Sequence, residues 1–205
     1  QAANLPIDEL IVVDGGSSDA TCELLHAAKV RWIRSAPGRA QQMNAGARLA
    51  TSDILLFLHA DTAIDASAIE AMRQAMRSDP DVVGGRFDLR LSGSHPALRV
   101  IECMINLRSR LTRISTGDQA MFVRRAVFAR LGGFPTLPLM EDVAFSRMLK
   151  RTGRIACLKA RVCTSSRRWE QHGLGRTVLL MWWLRLLFWL GVPPARLARM
   201  YRHAR

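Results

Sequence analysis

Short apolar runs alternate with amphipathic stretches along the first eighty residues. Residues 10–13 read LIVV, a β-branched run that suits a strand covered on both faces. Residues 30–33 and 54–58 (ILLFL) read the same way. Between and after them, 20–28, 39–50 and 65–77 carry helical spacing, the last opened by Asp65 where a helix dipole favours an acid. Strand–helix alternation of this kind predicts an α/β layered domain with a mostly parallel central sheet. Polar clusters follow these strands at their carboxyl ends, where open α/β sheets bind ligands.

Beyond Asp81 the rhythm changes. Strands are expected at 82–91, 119–123 and 154–162, and helices at 96–113 and 141–151. Residues 174–205 read as helical and amphipathic, with a break at Gly191-Val192-Pro193-Pro194. The expected organisation is a catalytic-type domain over 1–173 followed by a helical segment over 174–205.

Composition narrows the class. With 205 residues, 49% hydrophobic and 23% charged, the chain suits one sizeable globular domain and excludes disorder. The net charge of +13 is unevenly placed. Residues 1–100 hold 10 Lys+Arg against 12 Asp+Glu, whereas 101–205 hold 20 against 5. A basic back half calls for an anionic partner: phosphate, nucleic acid or anionic lipid. Lysine is rare, so part of the excess is a general preference for arginine on solvated helices. The four cysteines form no CxxC pair and no metal spacing with histidine, which predicts buried, reduced thiols. No basic and apolar leader pattern follows Gln1. No run reaches the roughly 18 apolar residues of a spanning helix; 178–190 comes nearest and is interrupted by Arg185.

Six clusters carry candidate chemistry. Asp14-Gly-Gly-Ser-Ser-Asp19 places a carboxylate and glycines at a strand end, fit for ribose or base contacts or simply for a strand-to-helix turn. Gly38-Arg39, at a helix start near Asn44, suits a phosphate oxygen or a solvated cap. His59-Ala60-Asp61 sets a carboxylate past a buried strand, where a hard cation or a helix cap could use it. Asp118-Gln119 lies in a TGDQ turn. Glu141-Asp142 pairs two carboxylates at a helix start, either as dipole complements or with one raising the other's pKa toward general-base use. Arg168-Trp169 sets a guanidinium beside an indole, suited to gripping a diphosphate or stacking on a ring.

Taken in order, VVDGGSSD, GRAQQMNAG, LLFLHADT, TGDQAMFV, LMEDVAFSRML and SSRRW resemble the inverting family 2 glycosyltransferases with the GT-A fold. The HAD, GDQ, LPLMED and RRW versions are similar to a bacterial subgroup of them. The resemblance implies that Asp14 contacts the donor nucleoside, with Ser17 and Asp19 shaping that pocket and Arg39 and Asn44 near diphosphate and ribose. It implies that Asp61 binds a divalent cation, Mg²⁺ or Mn²⁺. Asp118, Gln119 and Trp169 would face the acceptor, Asp142 would be the base with Glu141 beside it, and Arg168 would close over the diphosphate. The donor is expected to be a nucleotide-diphosphate sugar, UDP-type favoured, and the acceptor a hydroxyl compound, lipid-linked in one version of the reading.

Two departures from the family pattern stand out. The family opens with a strand of the type VIIPxxNE, and this chain begins just before the second strand of that pattern. His59 also stands where the family often has the first acid of DxD. Rival readings are a nucleic-acid-binding protein using the basic half, with no specific binding motif to support it, and a non-catalytic truncated relic. The tryptophan-rich 178–190 stretch, about 20 Å as a helix, is too short to span a bilayer and is expected to lie on an anionic membrane surface at its cytoplasmic face.

Overall fold

The computed structural model describes residues 5–167, 170 and 173–203. β1 (Ile11–Asp14) turns into α1 (Thr21–Ala27), and β2 (Arg31–Arg34) returns parallel to β1. Then come α2 (Arg39–Leu49), β3 (Ile54–Phe57), the two-residue β4 (Thr62–Ala63) and α3 (Ala66–Ser78). β5 (Val82–Leu91) and α4 (Pro96–Thr112) lead to a single 3₁₀ turn, Gly117–Gln119, which opens β6 (Met121–Arg124). The chain closes with α5 (Arg125–Arg130), α6 (Glu141–Leu149), β7 (Arg154–Thr164), α7 (Leu174–Trp189) and α8 (Pro194–His203). The elements read from the sequence recur within a few residues. β4, α5 and the 3₁₀ turn escaped because they are too short for a hydrophobic period to register.

The α/β layering holds, but the sheet is mixed rather than mostly parallel. Its five strands run β3-β6-β5-β7-β4, and β1-β2 forms a separate pair. Within the five, only β5–β7 is parallel; β3–β6, β5–β6 and β4–β7 are antiparallel. An apolar run reports that a strand is covered, not which way it points, so sequence pattern could not distinguish these orientations. Among the described residues no ladder joins the two sheets.

At the centre of the larger sheet, β5 carries Gly84 and Gly85. A Cβ at Gly85 would lie 2.3 Å from the Ala156 carbonyl oxygen on β7, so only glycine allows this spacing. Beneath the strand ends, Phe57, Phe128, Phe134 and Phe145 stack with ring centroids 4.5–5.5 Å apart. Each buried ring contributes about 1.5–3 kcal/mol. This cluster locks β3, whose end leads to His59 and Asp61, against α6, which begins with Glu141 and Asp142. α7 and α8 pack through Leu184 and Leu197 onto Met140 and Val143. The helical tail therefore forms part of the wall around the strand ends. The cysteines are unpaired as expected, but Cys103 is exposed and the other three only half-buried.

Candidate active site

One cleft, about 170 Å³ in volume, collects side chains from eight of the chain's segments, the end of β7 and α8 among them. Arg39 comes from the start of α2, His59 and Asp61 from the end of β3, and Asp118 from the 3₁₀ turn. Glu141 and Asp142 come from the start of α6, and α4 and α7 supply a wall. Residues scattered over a hundred positions of sequence thus meet at one end of the sheet.

The three acidic segments are tied to one another. Gly117 N–H donates to Asp142 Oδ2 at 2.8 Å, and Val143 N–H donates to Asp142 Oδ1 at 2.7 Å. Both donors hold the carboxylate in one orientation. A methyl group at Gly117 would sit 2.4 Å from His59 Cε1, so this glycine is there because the imidazole packs against it. Gln119 is completely buried: its carboxamide accepts from the Thr116 N–H at 3.3 Å and donates to Ser109 Oγ at 3.0 Å. It builds the turn that presents Asp118 instead of facing an acceptor. Two non-glycine residues flanking these motifs, Ala120 (φ 49°) and Met140 (φ 67°), adopt the left-handed conformation. Such strain is retained where the surroundings over-determine the backbone.

Charge is concentrated and incompletely paired. Glu141 is 4% exposed, and burial, then the neighbouring Asp142, pushes its carboxyl above the ordinary value. His59 is held below its ordinary value by burial and then by Arg39, which favours a neutral imidazole. Among the described residues, Asp118 Oδ1 and Arg108 Nε and Nη2 are buried without a hydrogen-bond partner, as is Arg86 Nε outside the cleft. Unsatisfied buried polar atoms are uncommon, and those that line a cleft are open to a water, an ion or a ligand.

The residues expected on the nucleoside side are absent from the cleft lining, apart from Arg39. Asp14 is buried at the end of β1, and its carboxylate accepts from the Gly16 and Ser17 N–H groups and from Arg34 Nε at 3.1 Å. Ser17 above all draws its pKa down to about 2. Asp19 caps Thr21, accepting from both its N–H and its hydroxyl. Asn44 is absent from the cleft lining: its Nδ2 donates to the Phe134 carbonyl at 2.8 Å and its Oδ1 accepts from the Phe134 N–H at 2.9 Å. Arg168 and Trp169 lie outside the described residues.

Sequence reading passed over Arg108 and Arg185. Both line the cleft, and both had a visible signal. Arg185 is the single charge within the apolar run 178–190. Arg108 continues the i, i+4, i+7 face that begins with Ile101 and Ile105.

Solved structures define the class. Glucosyl-3-phosphoglycerate synthase from Mycobacterium tuberculosis, in complex with Mn²⁺ and UDP-glucose, superposes with a TM-score of 0.63 at 19% identity, covering 91% of this chain and 70% of that one. S. aureus TarS 1-349 gives 0.61 at 20% identity over 84% and 56% of the two chains. The mannosyltransferase PcManGT from Pyrobaculum calidifontis, with GDP-Man and Mn²⁺, gives 0.57 at 20% identity over 76% and 47%. The fold is of the GT-A glycosyltransferase type. The family model for glycosyl transferase family 2 matches residues 1–132, and the chain belongs to that family. Poly-beta-1,6-N-acetyl-D-glucosamine synthase of Staphylococcus aureus is 26% identical over 162 residues, 71% of this chain and 39% of that protein. The chain thus spans well under half the length of this curated relative.

Proposed function

We propose that the chain transfers a sugar, with inversion, from a nucleotide-diphosphate sugar to a hydroxyl acceptor, with Asp142 as general base. The observation that carries this reading is the convergence of Arg39, Asp61, Asp118 and Asp142 on one cleft in a family 2 chain. The acceptor oxygen attacks the anomeric carbon, the bond from that carbon to the diphosphate oxygen breaks, and Asp142 takes the hydroxyl proton. Two backbone N–H groups hold the Asp142 carboxylate in one orientation. Arg39, at the α2 start, offers its charge to the diphosphate.

The residues fit a divalent cation held largely by the donor. Among the described residues no three His, Cys, Asp or Glu side chains converge. Asp61 is exposed in the cleft, and among the described residues its carboxylate accepts a side-chain hydrogen bond only from Thr62 Oγ1, at 3.4 Å. One carboxylate plus substrate phosphates is how Mg²⁺-like ions are commonly bound. Asp61 would hold the cation, whose charge would stabilise the departing diphosphate. Two structural neighbours, solved with Mn²⁺ and UDP-glucose or GDP-Man, support this choice, and UDP, also bound in a TarS structure, is the nucleotide we favour. Asp14, Ser17 and Asp19 remain the proposed nucleoside side, Arg168 and Trp169 the proposed closing pair.

The slow reaction of donor with water tests the base without knowledge of the acceptor. Asp142→Asn is expected to cut it about 10²–10⁴-fold with donor affinity nearly unchanged, and the first sugar released by the unaltered chain should carry the inverted anomer by NMR. Near-normal turnover in Asp142→Asn, or a retained anomer, contradicts the assignment.

A further inference from the structure

The acceptor end of the cleft has its own chemistry. α4 lines it with Ile101, Met104, Ile105 and Arg108, and α7 with Val178, Met181, Trp182 and Arg185. Each set follows helical i, i+4, i+7 spacing, so each helix presents an apolar stripe that ends in a guanidinium. The stripes continue outward. Val100, Met104, Leu107 and Leu111 on α4 are exposed, as are Leu179, Trp182, Trp183, Leu186 and Trp189 on α7.

The Arg108 guanidinium is anomalous. Its Nε and Nη2 are buried with no partner among the described residues, and burial, then Arg185, draws its pKa down to about 10. Other cations nearby are neutralised: Arg86 and Arg110 both pair with Asp88. No ion pair of Arg108 or Arg185 occurs among the described residues. Two cations held together in a half-buried cleft repel each other; Asp118 and Asp142 in the same cleft offset part of that cost, and a bound anion would offset more.

Arg108 and Arg185 line the same cleft as Arg39, Asp61, Asp118 and Asp142. Asp118 Oδ1 is unpartnered and buried, ready to accept from a hydroxyl.

Resting on the transferase reading above, we infer that the acceptor is an anionic amphiphile, whose phosphate or carboxylate binds Arg108 and Arg185 beside the hydroxyl that is glycosylated. Its apolar portion lies along the stripes of α4 and α7. The anion satisfies the orphaned guanidinium, and the apolar wall accounts for the rest of the surface.

Calorimetric titration of the whole chain tests this with monomeric dodecyl phosphate, the neutral amphiphile dodecyl maltoside and inorganic phosphate, each below any micelle-forming concentration. Dodecyl phosphate is expected to bind more tightly than either of the others. Arg108→Gln with Arg185→Gln should weaken it by about tenfold or more, the effect of losing charge-assisted contacts. Arg185→Gln alone, on a more accessible helix face, should give a smaller loss in a chain whose fold is not in question. A parallel titration with UDP and Mn²⁺ should be unchanged in both variants. Equal binding of inorganic phosphate overturns the amphiphile, and dodecyl phosphate binding insensitive to the substitutions overturns the subsite. Loss of the UDP response only in the variants shows that the guanidiniums serve the donor, which also overturns it. Absence of a UDP response in the unaltered chain counts against the transferase reading and leaves the dodecyl phosphate arm to be read on its own.

Discussion

Asn44 illustrates how a side chain can be placed correctly in a motif and still do something other than touch the ligand. Both ends of its carboxamide bind the Phe134 backbone, and Gly133 has no room for a Cβ, which would lie 2.6 Å from Asn44 Oδ1. Asn44→Ala is therefore expected to cost about 1–3 kcal/mol of stability, the penalty for stranding two backbone groups, and to leave UDP affinity little changed. Equal stability with weakened UDP binding would return Asn44 to the donor pocket. Glu141 offers a second residue-level test. Its folded pKa is raised, so the stability it contributes is full below its unfolded value near 4.5 and is lost as pH rises through the folded value. Glu141→Gln should thus raise Tm at pH 7 and have little effect at pH 4, each kcal/mol appearing as about 2–4 °C in a chain of this size. A Tm gain that is the same at both pH values would mean that the buried charge is not the cause. Arg108 shows the reverse of Asn44, since a cation on an apolar helix face reads as solvated until packing shows that its Nε and Nη2 have no partner.

At the scale of elements, α7 is shared between core and surface. Thr177 and Leu184 are buried, while Leu179, Trp183 and Trp189 are exposed. No described helix is long and apolar enough to cross a membrane. We propose that this exposed face, with the α4 stripe beside it, rests on an anionic membrane, as tryptophan and flanking arginine prefer. Co-sedimentation with anionic vesicles, weakened by salt and by Trp183→Ala with Trp189→Ala, is the expected result. Equal recovery in the supernatant with anionic and neutral vesicles would return the face to another role. Trp182 is unsuitable for that substitution because it also lines the cleft. The helices and strands were legible because each carries a period long enough to count, 13 residues in α3 and 10 in β5. Strand direction was not, because burial looks the same for parallel and antiparallel neighbours.

Across the whole molecule, the acidic motifs were readable one by one, and their convergence was not. Asp61, Asp118 and Asp142 are 57 and 24 positions apart in sequence, and only the folding of α6 against the β3 end brings them to one cleft. The pairing of Gly117 with His59 could not be read from either motif alone. The fold assembles one cleft that holds Arg39, Asp61, Asp118 and Asp142 together with the apolar and basic faces of α4 and α7, and we propose the first as the donor end and the second as the acceptor end. The central claim is that a nucleotide-diphosphate sugar occupies the first end with a divalent cation on Asp61. Thermal unfolding with UDP-sugars and GDP-sugars, with and without Mn²⁺, measures this directly. At a hundred times Kd, one donor should raise Tm by about 5–10 °C in the presence of Mn²⁺, with Asp61→Ala removing the Mn²⁺-dependent part. A chain whose Tm responds to none of these donors, or an Asp61→Ala variant that keeps the full Mn²⁺-dependent rise, would contradict it.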